Sequence, residues 1–361
     1  MAELTTVSFG PQHPVLPEPI HLDLELKDEK VVRAVPSIGY VHRGLEKLVE
    51  KRDFKQFIYV AERVCGICSF GHGWGYAKAV EGLMEIDVPR RASYLRTIWH
   101  ELSRLHSHLL WLGLGADALG FESLFMHCWR LRETILDIFE ETTGGRVIFS
   151  VCEVGGVRRD LTDAMKKSIE ERLTGLRKEI EEMASVFLYD DTLQTRLEGV
   201  GILSMNEAMD LGCVGPMARA SGVPNDYRMA DDDGAYRDLG FHPVLEQTGD
   251  CLARTKVRIR ELYQSIDIIL GALENLPEGA IASPVRGVPP KGEFFTRVEQ
   301  PRGEAIYYIK GNGTKNLERF RLRTPTNCNI AALVKMLQGC DLADVPNIIL
   351  TIDPCISCCE R

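Results

Sequence analysis

Two cysteine pairs of identical spacing stand near opposite ends of the chain, Cys65-Gly66-Ile67-Cys68 and Cys355-Ile356-Ser357-Cys358. Thiolates three residues apart can close on one ion from a single turn, and Gly66 leaves the backbone free to make that turn. Sulfur donors favour zinc, nickel, copper or iron over magnesium or calcium. On spacing alone, a structural zinc held by four thiolates accounts for them. The other arrangement is a metal pair, in which two sulfurs bridge and one ion keeps room for non-protein ligands.

The surroundings of the pairs narrow the choice. The first lies in Arg63-Val64-Cys65-Gly66-Ile67-Cys68-Ser69-Phe70-Gly71-His72 and the second in Asp353-Pro354-Cys355-Ile356-Ser357-Cys358-Cys359-Glu360-Arg361. They resemble the two signatures of the nickel–iron hydrogenase large subunit, R-x-C-G-x-C-x-x-x-H and D-P-C-x-x-C-x-x-(H/R). The final Arg361 resembles the membrane-bound, energy-converting (group 4) branch, which includes the carbon-monoxide-induced type and is related to the 49 kDa subunit of complex I.

That resemblance implies a nickel–iron centre with two cyanides and one carbon monoxide on the iron. Cys65 and Cys355 would be terminal nickel ligands, with Cys68 and Cys358 bridging the metals. Lewis-acid metals beside a thiolate can split dihydrogen heterolytically, the thiolate taking the proton. Glu18, in Leu16-Pro17-Glu18-Pro19-Ile20-His21, matches the family's proton-gate glutamate and would receive that proton from Cys355. Glu299-Gln300-Pro301-Arg302-Gly303 resembles the family's E-x-P-R-G stretch, which sets Pro301 and Arg302 beside the cyanides, where a guanidinium can donate charge-assisted hydrogen bonds. An arginine at a dry site needs a carboxylate partner; Asp353 and Asp117 are the candidates. Thr326, in Pro325-Thr326-Asn327-Cys328-Asn329, matches a threonine close to the cyanides, and His72 is expected to orient a cysteine sulfur or a cyanide. Glu46, in His42-Arg43-Gly44-Leu45-Glu46, matches a glutamate that helps hold magnesium near the C-terminus, where Arg361 stands in place of the usual histidine.

Bulk properties set the frame. Against 52 Asp and Glu the chain has 43 Lys and Arg, a net charge of −9 that argues against a nucleic-acid partner. No stretch approaches the roughly 20 apolar residues needed to span a bilayer, and Met1-Ala2-Glu3-Leu4 does not open a signal peptide. Eleven cysteines, an odd number, suit a reducing compartment. The expected location is the cytoplasm, with peripheral attachment to the inner face of the cell membrane through partners. Cys128, Cys152, Cys213, Cys251, Cys328, Cys340 and Cys359 show no cluster spacing, so electrons must leave through another chain. The resemblance implies a small subunit with a 4Fe–4S cluster, further iron–sulfur and integral membrane subunits, and ferredoxin. The implied activity is reversible proton reduction to dihydrogen, coupled to ferredoxin oxidation and ion translocation.

The elements that must position these residues read as an α+β, mainly α chain: a central bundle of long helices flanked by small β-hairpin and loop regions from both termini. As one large-subunit domain it divides into 1–64, 65–275 and 276–361. Leu22–Leu26 and Val31–Val35 form a hairpin. Helical spacing covers 40–53, 91–114, 124–143, 161–186 and 244–273, with Thr162 and Asp163 capping the fourth. Residues 215–224 read as loop, as does the Pro- and Gly-rich stretch from 277 through 303. Strands at 305–310 and 320–323 and a short helix at 329–337 lead to the last cysteines.

One rival belongs to another functional class. Gly10-Pro11-Gln12-His13-Pro14, Gly155-Gly156-Val157-Arg158-Arg159-Asp160-Leu161 and Arg219-Ala220-Ser221-Gly222 resemble the quinone-binding subunit of respiratory complex I. That subunit uses the same cavity without metal and lacks the cysteines. Metal content separates the three readings: nickel with iron, none, or zinc alone.

Overall fold

The computed structural model describes residues 4–361. The chain opens with a three-stranded antiparallel sheet of β1 (Thr5–Phe9), β2 (His21–Lys27) and β3 (Lys30–Ser37). In β2 the alternation of Leu22, Leu24 and Leu26 with polar residues buries one face, as a half-covered strand requires. Beyond it lie α1 (Ile58–Glu62), α2 (Ser69–Met84), α3 (Arg90–Ala118) and α4 (Glu122–Thr143). A minimal ribbon, β4 (Cys152–Glu153) with β5 (Gly156–Val157), precedes α5 (Asp163–Tyr189), α6 (Asp191–Leu197), α7 (Met205–Asp210), α8 (Pro216–Ala220) and α9 (Cys251–Glu274). A second three-stranded antiparallel sheet, β6 (Gly292–Gln300), β7 (Gly303–Gly311) and β8 (Arg319–Arg323), leads into α10 (Pro325–Leu337), α11 (Val345–Thr351) and α12 (Ile356–Glu360).

Long helices α3, α4, α5 and α9 build the main apolar cluster, and Thr162 caps α5 by accepting from the Met165 N–H. A second cluster joins the first sheet to α10 and α11. The cysteine pairs belong to the main cluster, whereas Ile356, between Cys355 and Cys358, belongs to the second. The tail motif therefore lies where the two cores meet.

Several expected elements differ from those observed. The helix expected over 40–53 is only a 3₁₀ turn, Leu45–Lys51, because Gly44 takes φ +67° and the side chains of His42 and Arg43 are engaged with the C-terminal segment. Helix α9 begins at Cys251 rather than 244, where Asp250 accepts from the Ala253 N–H. Within the stretch read as loop, Pro216 starts the five-residue α8. The region 277–303 holds all of β6, whose Phe294, Phe295, Thr296 and Val298 suit a strand once β7 is beside it.

Helix α2 falls within the helical body expected over 65–275, but its own bounds give no sequence signal, since Gly71, Gly73, Gly75 and Gly82 weaken it. Packing explains them. A Cβ on Gly75 would stand 2.2 Å from the Tyr307 ring, and one on Gly82 2.2 Å from that of Phe294. Glycine thus lets the second sheet lie directly on α2, the helix that starts at Cys68.

Beside that helix, Glu62 is fully buried with Oε2 accepting from the Ser150 hydroxyl at 2.9 Å, and Oε1 has no partner among the described residues. Burial pushes its carboxyl up to about 7, against smaller opposing effects of Ser150, Arg63 and Arg158. A raised acid contributes stability below its unfolded value, and that contribution fades as pH climbs through the folded one. Glu62→Gln should therefore stabilise the fold increasingly between pH 5 and pH 8, by about 3 kcal/mol at the upper end. Denaturant titrations at the two pH values measure this; an equal effect at both would exclude an ionisable buried Glu62.

Candidate metal centre

Each cysteine pair meets the start of a helix, the first pair with its last residue and the second with its first. Cys68 is the N-cap residue of α2 and Cys355 that of α12. Unsatisfied N–H groups and the helix dipole favour a thiolate at such positions. The four sulfurs converge although some 290 residues separate the pairs: Cys65 Sγ is 3.4 Å from Cys355 Sγ, and Cys68 Sγ is 3.6 Å from Cys358 Sγ. Cys355 and Cys358 stand 3.0 Å apart, and all four residues are buried.

Ionisation is shared unevenly. Hydrogen bonds from Cys355, Cys358 and Cys65 hold the Cys68 thiol well below its usual range. A bond from Cys358 lowers that of Cys355, but the bonds to Cys65 and Cys68 and burial raise it well above. Burial first, then its bonds to the other sulfurs, drive Cys358 up. Once one thiolate forms in a dry pocket, its charge opposes the next unless a cation joins them.

The donor atoms form two overlapping triads, Cys65–Cys355–Cys358 and Cys68–His72–Cys358, each with its atoms within 4.8 Å of one another. A shared sulfur is what two adjacent ions need, and soft donors suit transition metals. His72 Nε2 lies 3.4 Å from Cys68 Sγ and 3.3 Å from Cys358 Sγ, so one N–H reaches both sulfurs. Its Nδ1 is met by Gln300 Nε2 at 3.2 Å and by the Tyr307 hydroxyl at 3.1 Å. The Gln300 amide donates to the Tyr307 oxygen at 2.6 Å, and Tyr307 donates to the Gly71 carbonyl. A donor on Nδ1 fixes the tautomer with its proton on Nε2, facing the sulfurs.

Gln300 and Gly303 pair across the β6–β7 hairpin, leaving Pro301 and Arg302 as its two-residue turn. From the turn Arg302 Nε reaches Asp353 Oδ1 at 2.9 Å and the Asp353 carbonyl at 3.1 Å. Asp353 has φ +53° immediately before Pro354, a strained conformation for a non-glycine residue that the arginine holds at two points. Burial opposes the Arg302 charge, yet Asp353, Cys355, Cys65 and Cys68 outweigh it. Arg302 Nη1 is buried without a partner among the described residues, a cation's N–H left free for a non-protein acceptor. Thr326 Oγ1 accepts from the Cys355 N–H at 3.1 Å.

Half-buried Glu18 lies beside the sulfur of Cys355. Its Oε1 is 3.6 Å from Cys355 Sγ, and its Oε2 accepts from the Ser357 N–H at 2.5 Å. Cys355 thus has a carboxylate in line to exchange its proton.

Two expected site residues lie elsewhere in effect. Asp117 is exposed on the last turn of α3 and makes no ion pair with Arg302, whose one carboxylate partner among the described residues is Asp353. Glu46 does not suit a magnesium ion: Arg361 Nε and the Leu322 N–H, both at 2.9 Å, occupy Oε1, and Arg321 occupies Oε2. Gln300 and Tyr307 were missed. Gln300 lay inside the recognised motif at its variable position, and Tyr307 carries no motif; only the antiparallel register brings it to His72.

The chain is similar along nearly its whole length to known proteins. A family profile described as "Respiratory-chain NADH dehydrogenase, 49 Kd subunit" matches residues 118–289 and 285–361, and one described as "Nickel-dependent hydrogenase" matches residues 43–113. The membrane-bound hydrogenase subunit alpha of Pyrococcus furiosus is 38% identical, with 98% of this chain and 87% of that protein covered. The carbon monoxide-induced hydrogenase of Rhodospirillum rubrum is 38% identical over 99% of this chain and 99% of its own. Among solved structures, a chain of the membrane-bound sulfane sulfur reductase, an archaeal respiratory membrane complex, superposes with a TM-score of 0.95 at 30% identity, covering 99% of both chains.

The Arg302–Asp353 pair is open to a direct test. Arg302→Met leaves a buried carboxylate without its cation and should destabilise the subunit by about 3–5 kcal/mol. Adding Asp353→Asn should recover much of that loss in denaturant titrations; strict additivity of the two changes would show that they do not interact.

Proposed function

Since the chain belongs to the family that joins the nickel-dependent, membrane-bound hydrogenases to the 49 kDa subunit of respiratory-chain NADH dehydrogenase, we propose that it is the catalytic subunit of an energy-converting nickel–iron hydrogenase. The observation that carries this reading is the meeting of four buried sulfurs from both ends of the chain, with Glu18 3.6 Å from one of them. Cys65, Cys68, Cys355 and Cys358 would hold the two metals. A nickel–iron centre, when bound, supplies heterolytic cleavage or formation of dihydrogen.

The protein's own groups do the rest. Cys355 Sγ holds the transferred proton and Glu18 Oε1 exchanges it, while the Ser357 N–H keeps that carboxylate in place. Arg302 Nη1, which has no partner among the described residues, would donate to a non-protein ligand of that centre, and Thr326 fixes the backbone of Cys355. His72 supports Cys68 and Cys358 from behind. Among the described residues no second group of three or more ligating side chains forms that could hold a further cluster, so electrons pass to a partner; a small subunit with a 4Fe–4S cluster, fed by ferredoxin and attached to ion-translocating membrane subunits, suits that need. No helix among the described residues is long and apolar enough to cross a membrane, so those partners would supply the attachment at its inner face.

A second reading, a metal-free quinone-binding subunit, draws on the 49 kDa match over 118–361. It gives no task to the converged sulfurs or to the unpaired Arg302 nitrogen.

Elemental analysis of the purified complex should find one nickel per copy of this chain, with iron in excess of the clusters, and Cys355→Ser should lose the nickel. Zinc alone would overturn the reading, and an absence of bound metal would favour the quinone subunit. Glu18→Gln should slow hydrogen–deuterium exchange roughly 10²–10⁴-fold with nickel content unchanged; undiminished exchange would remove Glu18 from the proton path.

A further inference from the structure

The C-terminal segment is fastened to the first part of the chain by a set of contacts that the sulfur chemistry does not use. Glu46 receives Arg361 and the Leu322 N–H on one oxygen and Arg321 on the other. The Arg361 guanidinium also donates through Nη1 to Asn327 Oδ1 at 3.0 Å and to the Cys359 carbonyl at 2.7 Å, with the Cys358 carbonyl at 3.4 Å. Both carbonyls belong to α12, so the one guanidinium is bonded to the helix that carries Cys358. Burial alone would push the Glu46 carboxyl up, but Arg361 and the Leu322 N–H, with Arg321, bring it below its usual value.

This acceptor set is the kind that a hard divalent cation collects: a carboxylate, a side-chain amide oxygen and main-chain carbonyls. Here nitrogen-borne protons already occupy every one of them. A guanidinium presents its donors in a fixed planar fork, so one side chain can serve carboxylate, amide and carbonyl together. Magnesium would have to displace Arg361 and would still meet Arg321 on the remaining Glu46 oxygen.

We propose that Arg361 is a built-in cation: its guanidinium takes the place of a divalent metal at Glu46 and is the positioning residue that holds α12, and with it Cys355 and Cys358, against the head of the chain. The rest of the segment reinforces the clasp. Glu360 accepts from the Gly39 and Val41 N–H groups, its carbonyl meets His42 Nδ1 at 2.5 Å, and Arg43 bonds the carbonyls of Arg63, Val64 and Ser357. Arg43 thereby ties the residues just before Cys65 to the residue just before Cys358. None of these contacts involves the sulfurs or any metal they hold.

Amide hydrogen exchange of residues 353–361 in the purified complex tests it, with nickel content followed in the same samples so that events at the sulfurs are recognised. In the wild type, EDTA or millimolar MgCl₂ should leave exchange unchanged. Arg361→Ala should speed exchange at least tenfold in this segment, MgCl₂ should slow it again by entering the vacated acceptors, and Arg361→Lys, which lacks the fork, should fall between. Faster wild-type exchange in EDTA at constant nickel, reversed by MgCl₂, would show a resident metal and overturn the proposal. So would an Arg361→Ala variant that exchanges like the wild type. Should Arg361→Ala fail to assemble, the wild-type arm decides alone.

Discussion

Four thiols crowded into one dry pocket set the constraint on which the rest of this structure turns. Each proton lost raises the penalty for losing another, so the cluster is stable only if cations enter it or most of its protons stay. The surroundings answer that demand from several sides. A helix N-terminus lies under Cys68, one imidazole N–H serves two sulfurs, and Arg302 brings a positive charge within reach of three of them. None of these groups replaces a metal; together they prepare a pocket for positive charge.

Arg302 and His72 are held in turn by a buried network of ions around α3. Arg104 and His100 both donate to the Glu299 carbonyl, at 2.7 and 2.8 Å, and Arg104 reaches the Gln300 carbonyl at 3.2 Å. The Glu299 side chain is bound by Arg219 at 2.8 Å, and Arg219 also pairs with Glu261 and Asp226. Glu261 meets His108, and Glu101 meets Arg104 and Arg228. Such a network adds little net stability compared with apolar packing, but breaking one member strands the others. Its visible effect is to fix the end of β6, where Gln300 and the Pro301–Arg302 turn begin. The hairpin then serves head and tail together, Gln300 reaching His72 and Arg302 reaching Asp353.

Much of the centre was legible from local signals. The cysteine spacings, the Asp353-Pro354 dipeptide and the Glu299–Gly303 stretch are short motifs whose residues need no distant partner to be recognised. Long amphipathic helices such as α3, α4 and α5 were equally clear, because their apolar periodicity is sustained over many turns. What escaped was decided by tertiary contact. Helix α2 forms despite its glycines because a sheet packs on them, and β6 is a strand only beside β7. Asp117 and Glu46 show the opposite failure: a residue of the right type at a matching place, but with its charge turned to solvent or already claimed by arginines. Domain division leaves no such local mark; the two apolar clusters that share the tail motif appear only in three dimensions.

The span between the paired sulfurs has a thermodynamic consequence. Joining Cys65 to Cys355 closes a loop of 290 residues, a restriction whose length-dependent part is about 5 kcal/mol. Without an ion, that entropy must be offset by the two apolar clusters, which have to bring the ends together before any ligand set exists. Once an ion is bound by sulfurs from both ends, it acts as a cross-link across nearly the whole polypeptide, and unfolding must either break metal–sulfur bonds or proceed on a tethered chain. An ion held there would thus also be the clasp that gives the fold its persistence.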